Sequence, residues 1–401
     1  MPVNLPDIKK AAAILKGVIH RTPLDHSRTF SALTGAEIYL KLENLQKTGS
    51  FKIRGAYNKM QSLTDSQRQK GVIAASAGNH AQGVAFAATR AGIKATVVMP
   101  QNAPLAKIAA TKGYGAEVVL VGHVYDESYA RAKELQRETG QTFIHAFDDE
   151  EIIAGQGTIG LEILEDLQDA AAIVAPVGGG GLLAGIAAAV KNASPRVKIY
   201  GVQSTGAGAM YASKQSHQIC STKDAKTIAD GIAVKTPGEL TFPLIEKYAD
   251  DIVVVDDEEA ANTILMLLER AKLMVEGAGA VSLAAVLNKK IAQTGKIVSV
   301  ISGGNVDVSF IAHIIERGLI QAGRRVRLLT ELPDLPGSLQ RMLAIIARRE
   351  ANVLQISHDR LDSHVSFGQT LVEIRLETRD FLHAGEVVRA LEENGYKVQK
   401  Y

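Results

Sequence analysis

A chain of 401 residues is longer than one hydrophobic core usually supports, so two or three folding units are expected. Its 45 Lys and Arg nearly balance 43 Asp and Glu, and no dense basic run is present to neutralise a series of phosphates, which excludes nucleic acid as an expected partner. The single cysteine, Cys220, cannot close an internal disulfide, and MPVNLPDIKK is neither an apolar signal core nor an Arg-rich amphipathic start; a soluble protein of the reducing cytoplasm is expected.

Runs rich in Val and Ile predict strands at 37–42, 72–76, 94–99, 117–121, 172–177, 198–203, 251–255 and 296–301, and helical spacing between them predicts helices that include 81–92, 162–167 and 260–273. Alternation of strand and helix over this length implies an α/β fold with a mainly parallel sheet covered on both faces. The uncharged stretch 170–190, AAAIVAPVGGGGLLAGIAAAV, is long enough for a bilayer, but Pro176 and four consecutive glycines would leave irregular backbone unsatisfied in lipid. It reads instead as buried strand, loop and small-residue helix, and no membrane partner is expected.

Ligands of such folds bind beyond the carboxyl ends of strands, where this chain has SAGNH (76–80), PQNAP (100–104), VGGGG (177–181) and SGGN (302–305). After Gly323 the pattern changes to strand, Pro-Gly turn, helix, strand, strand, helix and short strand, a ferredoxin-like βαββαβ module.

In ENLQKTGSFKIRGA (43–56), Ser50 is a suitable N-cap, which puts Lys52 in the first turn of a helix. Ile53, Ala56 and Met60 share one face, Lys52 lies at its border, and Arg54 and Asn58 point the other way; Lys59 has nearly the angle of Lys52. Lys52 is therefore either a snorkelling lysine covering apolar surface or an amine held for Schiff-base formation with an aldehyde cofactor. The glycine loop favours the second, since backbone N–H groups at a helix start make an anion site without a basic side chain. Gly179, Gly181 and Ala184 fit a loose dinucleotide pattern, and Gly155, Gly157 and Gly160 a strict one. The first lacks an acidic residue at the end of the following strand and the second lacks a preceding strand, so an NAD-dependent dehydrogenase is the weaker alternative. The ten histidines and one cysteine show no ligand spacing, and no metal is expected.

SFKIRGA, SAGNHAQGVA, PVGGGGLLAGI, ADGIAV (229–234) and SGGN, in this order, resemble the pyridoxal-phosphate enzymes of the tryptophan-synthase-β type, most closely the threonine ammonia-lyases, also called threonine dehydratases or deaminases. The likeness runs from about Leu5 to Gln321. It implies a two-lobed catalytic domain over 1–322, with the smaller lobe inserted at roughly 45–150, and pyridoxal 5'-phosphate as cofactor. It further implies that Lys52 carries the cofactor and acts as the base, that Phe51 flanks its ring, and that Asn79 bonds the ring hydroxyl. Gly178, Gly179, Gly180, Gly181 and Leu182 would hold the phosphate, and Ser302 would face the pyridine nitrogen. The N–H groups of Ser76, Ala77, Gly78, Asn79 and His80, opening a helix, suit a substrate carboxylate. Taken without the resemblance, Asn79 is an ordinary turn or cap residue and His80 a helix-surface residue.

Serine racemase or serine dehydratase of the same fold is the alternative within the resemblance. The racemase's second base is a serine at the position of Ala77, and its divalent-cation site uses acidic residues where this chain has Gln203 and Ala209. Both departures favour elimination. The C-terminal module, 326–401, resembles an ACT domain, a regulatory amino-acid-binding unit, with Asp334, Gly337 and Ser338 near an effector site or dimer interface. The expectation is a cytoplasmic carbon–nitrogen lyase, a homodimer or homotetramer, that deaminates L-threonine to 2-oxobutanoate and L-serine to pyruvate, in isoleucine synthesis or threonine degradation. Its partners are the amino-acid substrate and an amino-acid or nucleotide effector.

Overall fold

The computed structural model describes residues 3–360 and 365–400; the first two residues of the expected catalytic domain, and 361–364 and Tyr401 of the expected C-terminal module, lie outside them. Stiff Val and Ile side chains suit a pleated surface buried on both faces, and the predicted runs become strands. In chain order they are β1 (Leu24–His26), β2 (Glu37–Lys41), β3 (Val72–Ala75), β4 (Ala95–Met99), β5 (Glu117–Leu120), β6 (Thr142–Phe143), β7 (Ala172–Pro176), β8 (Lys198–Ser204), β9 (Asp251–Val255) and β10 (Lys296–Val300). Two of them, β1 and β6, were not predicted: each is too short to show a period.

These strands form two sheets. One has the order β1-β2-β10-β7-β8-β9 and is parallel except for the β1–β2 pair; the other, β5-β4-β3-β6, is parallel throughout. Helices Glu150–Asp166 and Gly181–Ala193 pack together on the larger sheet, in a core that includes Ile153, Ile159, Leu183, Ile186 and Val298. The strict glycine pattern explains that packing. Gly155, Gly157 and Gly160 lie inside the first helix, where a Cβ on Gly157 would stand 2.8 Å from the Gly185 carbonyl oxygen and one on Gly155 2.6 Å from the Gly55 Cα. They are approach points between helices, not a nucleotide turn.

The chain divides into two compact units, Met1–Asp307 and Val308–Tyr401. The second opens with helix Val308–Gln321, which the sequence boundary groups with the catalytic part, and continues as β11 (Arg325–Pro333), helix Ser338–Arg348, β12 (Asn352–Asp359), β13 (Gln369–Glu377), helix Phe381–Glu393 and β14 (Val398–Lys400). Its antiparallel sheet has the order β12-β13-β11-β14, with a core of Val326, Leu328, Met342, Val372, Ile374 and Val387. Among the described residues no helix is long and apolar enough to cross a membrane, and no group of three His, Cys, Asp or Glu side chains is arranged to hold a metal ion.

The expected 260–273 helix is shorter. Helix Asp257–Met266 passes into a π-turn, Leu267–Ala271, and ends on Lys272 at φ +60°.

Candidate active site

The carboxyl ends of β3, β7 and β10 open on one cavity of about 900 Å³, a size suited to a cofactor with its substrate. Phe51, Lys52, Ser76, Ala77, Gly78, Asn79, His80, Gly178, Gly179, Gly180, Gly181, Leu182 and Ser302 all line it.

Lys52 is the first residue of helix Lys52–Ser62. Its N-cap is Phe51, not Ser50 as the sequence suggests. Ser50 instead forms an antiparallel bridge with Gly303, and its buried hydroxyl has no hydrogen-bond partner. The Phe51 N–H then donates to the Ser302 carbonyl at 3.2 Å, so the main chain ties the lysine to the SGGN loop. Lys52 Nζ donates to the Ala146 carbonyl at 3.0 Å and stands 5.2 Å from the centre of the Phe51 ring. Burial lowers its pKa to about 8, against a smaller opposing pull from Glu276. Near neutral pH a useful fraction of the amine is unprotonated and nucleophilic.

Arg54, expected on the far side of this helix, is fully buried there. Its guanidinium grips Glu43 through two bonds of 2.7 and 2.8 Å and Glu162 through two of 2.6 and 2.9 Å, while Lys41 Nζ reaches Glu162 at 2.6 Å. Two cations and two carboxylates thus balance in a cluster that is buried except for the partly exposed Glu162.

The glycine loop precedes helix Gly181–Ala193, whose first N–H groups lack intrahelical acceptors. Its shape forbids side chains. A Cβ on Gly179 would stand 2.4 Å from the Phe147 ring and one on Gly178 2.9 Å from Ile232 Cα, while Gly180 adopts φ +107°. The Gly179 carbonyl accepts from Thr241 Oγ1 at 2.6 Å and from the Gly238 N–H at 3.1 Å. That fixes the loop with its oxygen committed elsewhere. Asp148 supports the arrangement by accepting the N–H groups of Glu239, Leu240 and Thr241. The result is a rigid anion cradle.

Asn79 opens helix Asn79–Arg90. Its Nδ2 donates to Glu276 Oε1 at 2.7 Å and its Oδ1 accepts from Asn305 Nδ2 at 2.8 Å. Of the N–H groups in this turn, that of Gly78 donates to Ser76 Oγ at 3.2 Å. His80 is buried rather than on the helix surface; its Nε2–H donates to the Ile144 carbonyl at 3.0 Å, and desolvation, aided by Lys52, lowers its pKa to about 3, so it stays neutral. Ser302 is buried, and its hydroxyl donates to the Ala278 carbonyl at 3.4 Å. Gln203 Oε1 accepts from the Tyr211 N–H at 2.7 Å and its buried Nε2, a donor, has no partner. Asp334, Gly337 and Ser338 belong to the second unit, at the turn from β11 to helix Ser338–Arg348; Asp334 pairs with Arg360 at 3.0 Å and Gly337 has φ +86°.

Sequence reasoning missed Glu276, Phe147, Thr241, Asp148 and Asn305. Two carried a signal: Glu276, as the lone acid of the apolar run MVEGAGAVSLAAV, and Asn305, as the last residue of the SGGN loop. Together the cavity offers a nucleophilic amine, an anion cradle, a donor amide and a neutral hydroxyl, a set that fits a phosphorylated aromatic aldehyde.

The family of pyridoxal-phosphate dependent enzymes matches residues 15–303. An L-threonine ammonia-lyase of Thermotoga maritima is 52% identical over 99% of both chains. Among solved structures, maize serine racemase superposes with a TM-score of 0.75 at 36% identity, covering 80% of this chain and 99% of the racemase. The processed form of threonine deaminase isoform 2 from Solanum lycopersicum does so with a TM-score of 0.74 at 38% identity, covering 78% of this chain and 86% of the deaminase. By match and by fold, this chain belongs to the pyridoxal-phosphate dependent enzymes.

Proposed function

We propose that this protein is a threonine ammonia-lyase that converts L-threonine to 2-oxobutanoate and ammonia, and L-serine to pyruvate and ammonia. The observation that carries the reading is the desolvated Lys52 amine sharing one cavity with the glycine cradle. Likeness to a threonine ammonia-lyase along nearly the whole chain supports it. When bound, pyridoxal phosphate supplies the conjugated electron sink that loss of an α-proton requires.

The protein's part is to hold and to move protons. Lys52 would anchor the cofactor, and its amine is the base that would take the α-proton of the substrate. Gly178 to Leu182 would bind the phosphate, Phe51 would flank the ring, and Ser302 would offer the ring nitrogen a hydroxyl, which carries no charge to hold that nitrogen protonated. Asn79 would donate to the ring oxygen. The N–H groups at the start of helix Asn79–Arg90 orient the substrate carboxylate. Ala77 lines the cavity with a methyl group that cannot move a proton, which favours elimination over racemisation. L-serine enters because it lacks only one methyl group, and a methyl discriminates weakly.

The C-terminal βαββαβ unit supports a regulatory role, with Asp334, Gly337 and Ser338 close to an amino-acid or nucleotide effector or to a subunit interface. The enzyme on this reading is a cytoplasmic homodimer or homotetramer in isoleucine synthesis or threonine degradation. The test is to assay purified holoenzyme for 2-oxo acid and for D-amino acid from L-threonine and L-serine, with and without L-isoleucine. Release of 2-oxobutanoate supports the lyase, and an isoleucine effect supports the sensor. D-serine without oxo acid would establish the racemase reading instead.

A further inference from the structure

A directional chain of hydrogen bonds runs beside the cavity. Asn305 Nδ2 donates both to the main-chain carbonyl of Thr48, at 2.7 Å, and to Asn79 Oδ1, at 2.8 Å; Asn79 Nδ2 donates to Glu276 Oε1 at 2.7 Å. A backbone carbonyl can only accept, so Thr48 decides which end of the Asn305 amide is nitrogen. That choice turns the Asn79 oxygen toward Asn305 and its nitrogen toward Glu276. The last acceptor is a carboxyl oxygen, which fills the role whether or not the acid is ionised.

The backbone is trimmed at both ends to admit these side chains. A Cβ on Gly49 would stand 2.3 Å from Asn305 Oδ1, and one on Gly303 2.4 Å from Glu276 Oε1. Gly49 also needs its glycine for φ +70°. With its oxygen engaged by Asn305 and one N–H by Glu276, the Asn79 amide has a second N–H left for a ligand in the cavity that Asn79 and Glu276 both line.

We propose that Asn305 and Glu276 are positioning residues that lock the Asn79 side chain as a hydrogen-bond donor, never an acceptor, toward the ring oxygen of the bound cofactor. This rests on the reading of Asn79 given above. Were the amide reversed, its oxygen would oppose the lone pairs of an ionised ring oxygen. The environment of Glu276 suits a terminal acceptor: burial, with Asp230 adding to it and Lys107, Asn79 and Lys52 opposing, pushes its pKa up to about 8. The carboxyl is mostly neutral at pH 7 and adds little charge beside the ring.

The test is to titrate full-length apoenzyme with pyridoxal phosphate and to record the holoenzyme absorption spectrum in five variants. Asn79→Ala defines the effect of losing the donor. Asn305→Asp keeps the shape but cannot donate; Glu276→Met removes the acceptor; Glu276→Gln restores it. The last variant is the double change Asn305→Asp with Asn79→Ala. We expect Asn305→Asp and Glu276→Met each to weaken cofactor affinity about tenfold and to shift the spectrum as Asn79→Ala does, since one hydrogen bond to an ionised group is at stake. Glu276→Gln should recover most of what Glu276→Met loses, and the double variant should bind no more weakly than Asn79→Ala alone. Additive losses in the double variant would overturn the proposal, as would a Gln variant as weak as Met. So would wild-type affinity and spectrum in Asn305→Asp and Glu276→Met beside a weakened Asn79→Ala. If Asn79→Ala itself matches the wild type, the reading of Asn79 fails first. Should Asn305→Asp not fold, the Met and Gln pair at 276 decides alone.

Discussion

Helix Lys52–Ser62 has two interior sides that treat a buried cation in opposite ways. On one, Lys52 is desolvated without a bonded carboxylate, and its pKa falls to about 8. On the other, burial also works against the charge of Arg54, but bonds to Glu43 and Glu162 outweigh it and hold the guanidinium above its ordinary value. Burial alone therefore does not make a reactive cation. What matters is whether an anion has been supplied, and an amine, unlike a guanidinium, can give up its proton when none is.

The largest way to break this contrast is Lys52→Ala. Activity should fall by on the order of 10²–10⁴-fold or more, and the yellow colour with cofactor should be lost while circular dichroism stays native. A variant with ordinary turnover would refute the role. Next comes Arg54→Met, which takes the paired cation from the buried Glu43 and leaves Glu162 with Lys41, and should cost about 3–5 kcal/mol in denaturant unfolding. It should also alter acid sensitivity. Burial pushes the Glu162 carboxyl up, but its bonds to Arg54 and Lys41 prevail and hold it below the usual range. Its contribution is therefore present above the unfolded carboxylate pKa and lost as pH falls through the folded value. Without Arg54 that acid-side loss should shrink; an unchanged slope would show that Lys41 alone sets it.

A smaller effect is kinetic. The rate of cofactor uptake by apoenzyme should climb with pH, reach half its maximum near pH 8, where half the Lys52 amine is neutral, and level off above that. A solvated lysine would reach half-maximum only near its ordinary value of about 10.4, and a midpoint there would remove the claim of desolvation. The stability sign runs the same way: a depressed amine contributes fully above its unfolded pKa and loses that contribution as pH falls through about 8.

How far the sequence could be read follows from the range of the forces involved. The strands ending at Ala75, Pro176 and Val300 were legible because Val and Ile runs are local, and so was the glycine loop, whose chemistry lies in its own backbone. The burial of Arg54 was not: charged residues are expected outside, and the carboxylates that permit burial lie 11 and 108 residues away. Ser50 looked like a cap until a strand-like bridge to Gly303 took its backbone. The link of Glu276 and Asn305 to Asn79 was hidden for the same reason, since their bonds to it span 197 and 226 residues.

Lys59 gives the smallest and sharpest test, because its helical angle is nearly that of Lys52. The resemblance ends at the side-chain tip. Lys59 Nζ meets Asp149 Oδ2 at 2.6 Å, and both side chains keep about a fifth of their exposure, 20% and 18%. Water and a carboxylate thus serve the charge that Lys52 must hold without a bonded anion. Asp149 has a second task, capping helix Glu150–Asp166 through the N–H groups of Glu151 and Ile152, so it stays anchored when the lysine is removed. Lys59→Ala should therefore cost about 1 kcal/mol or less and leave cofactor affinity, colour and the pH of half-maximal uptake unmoved. A shift in that pH would mean that Lys59 contributes to the field at Lys52, and that position on the helix, not the absence of a bonded anion, sets the reactivity of the amine.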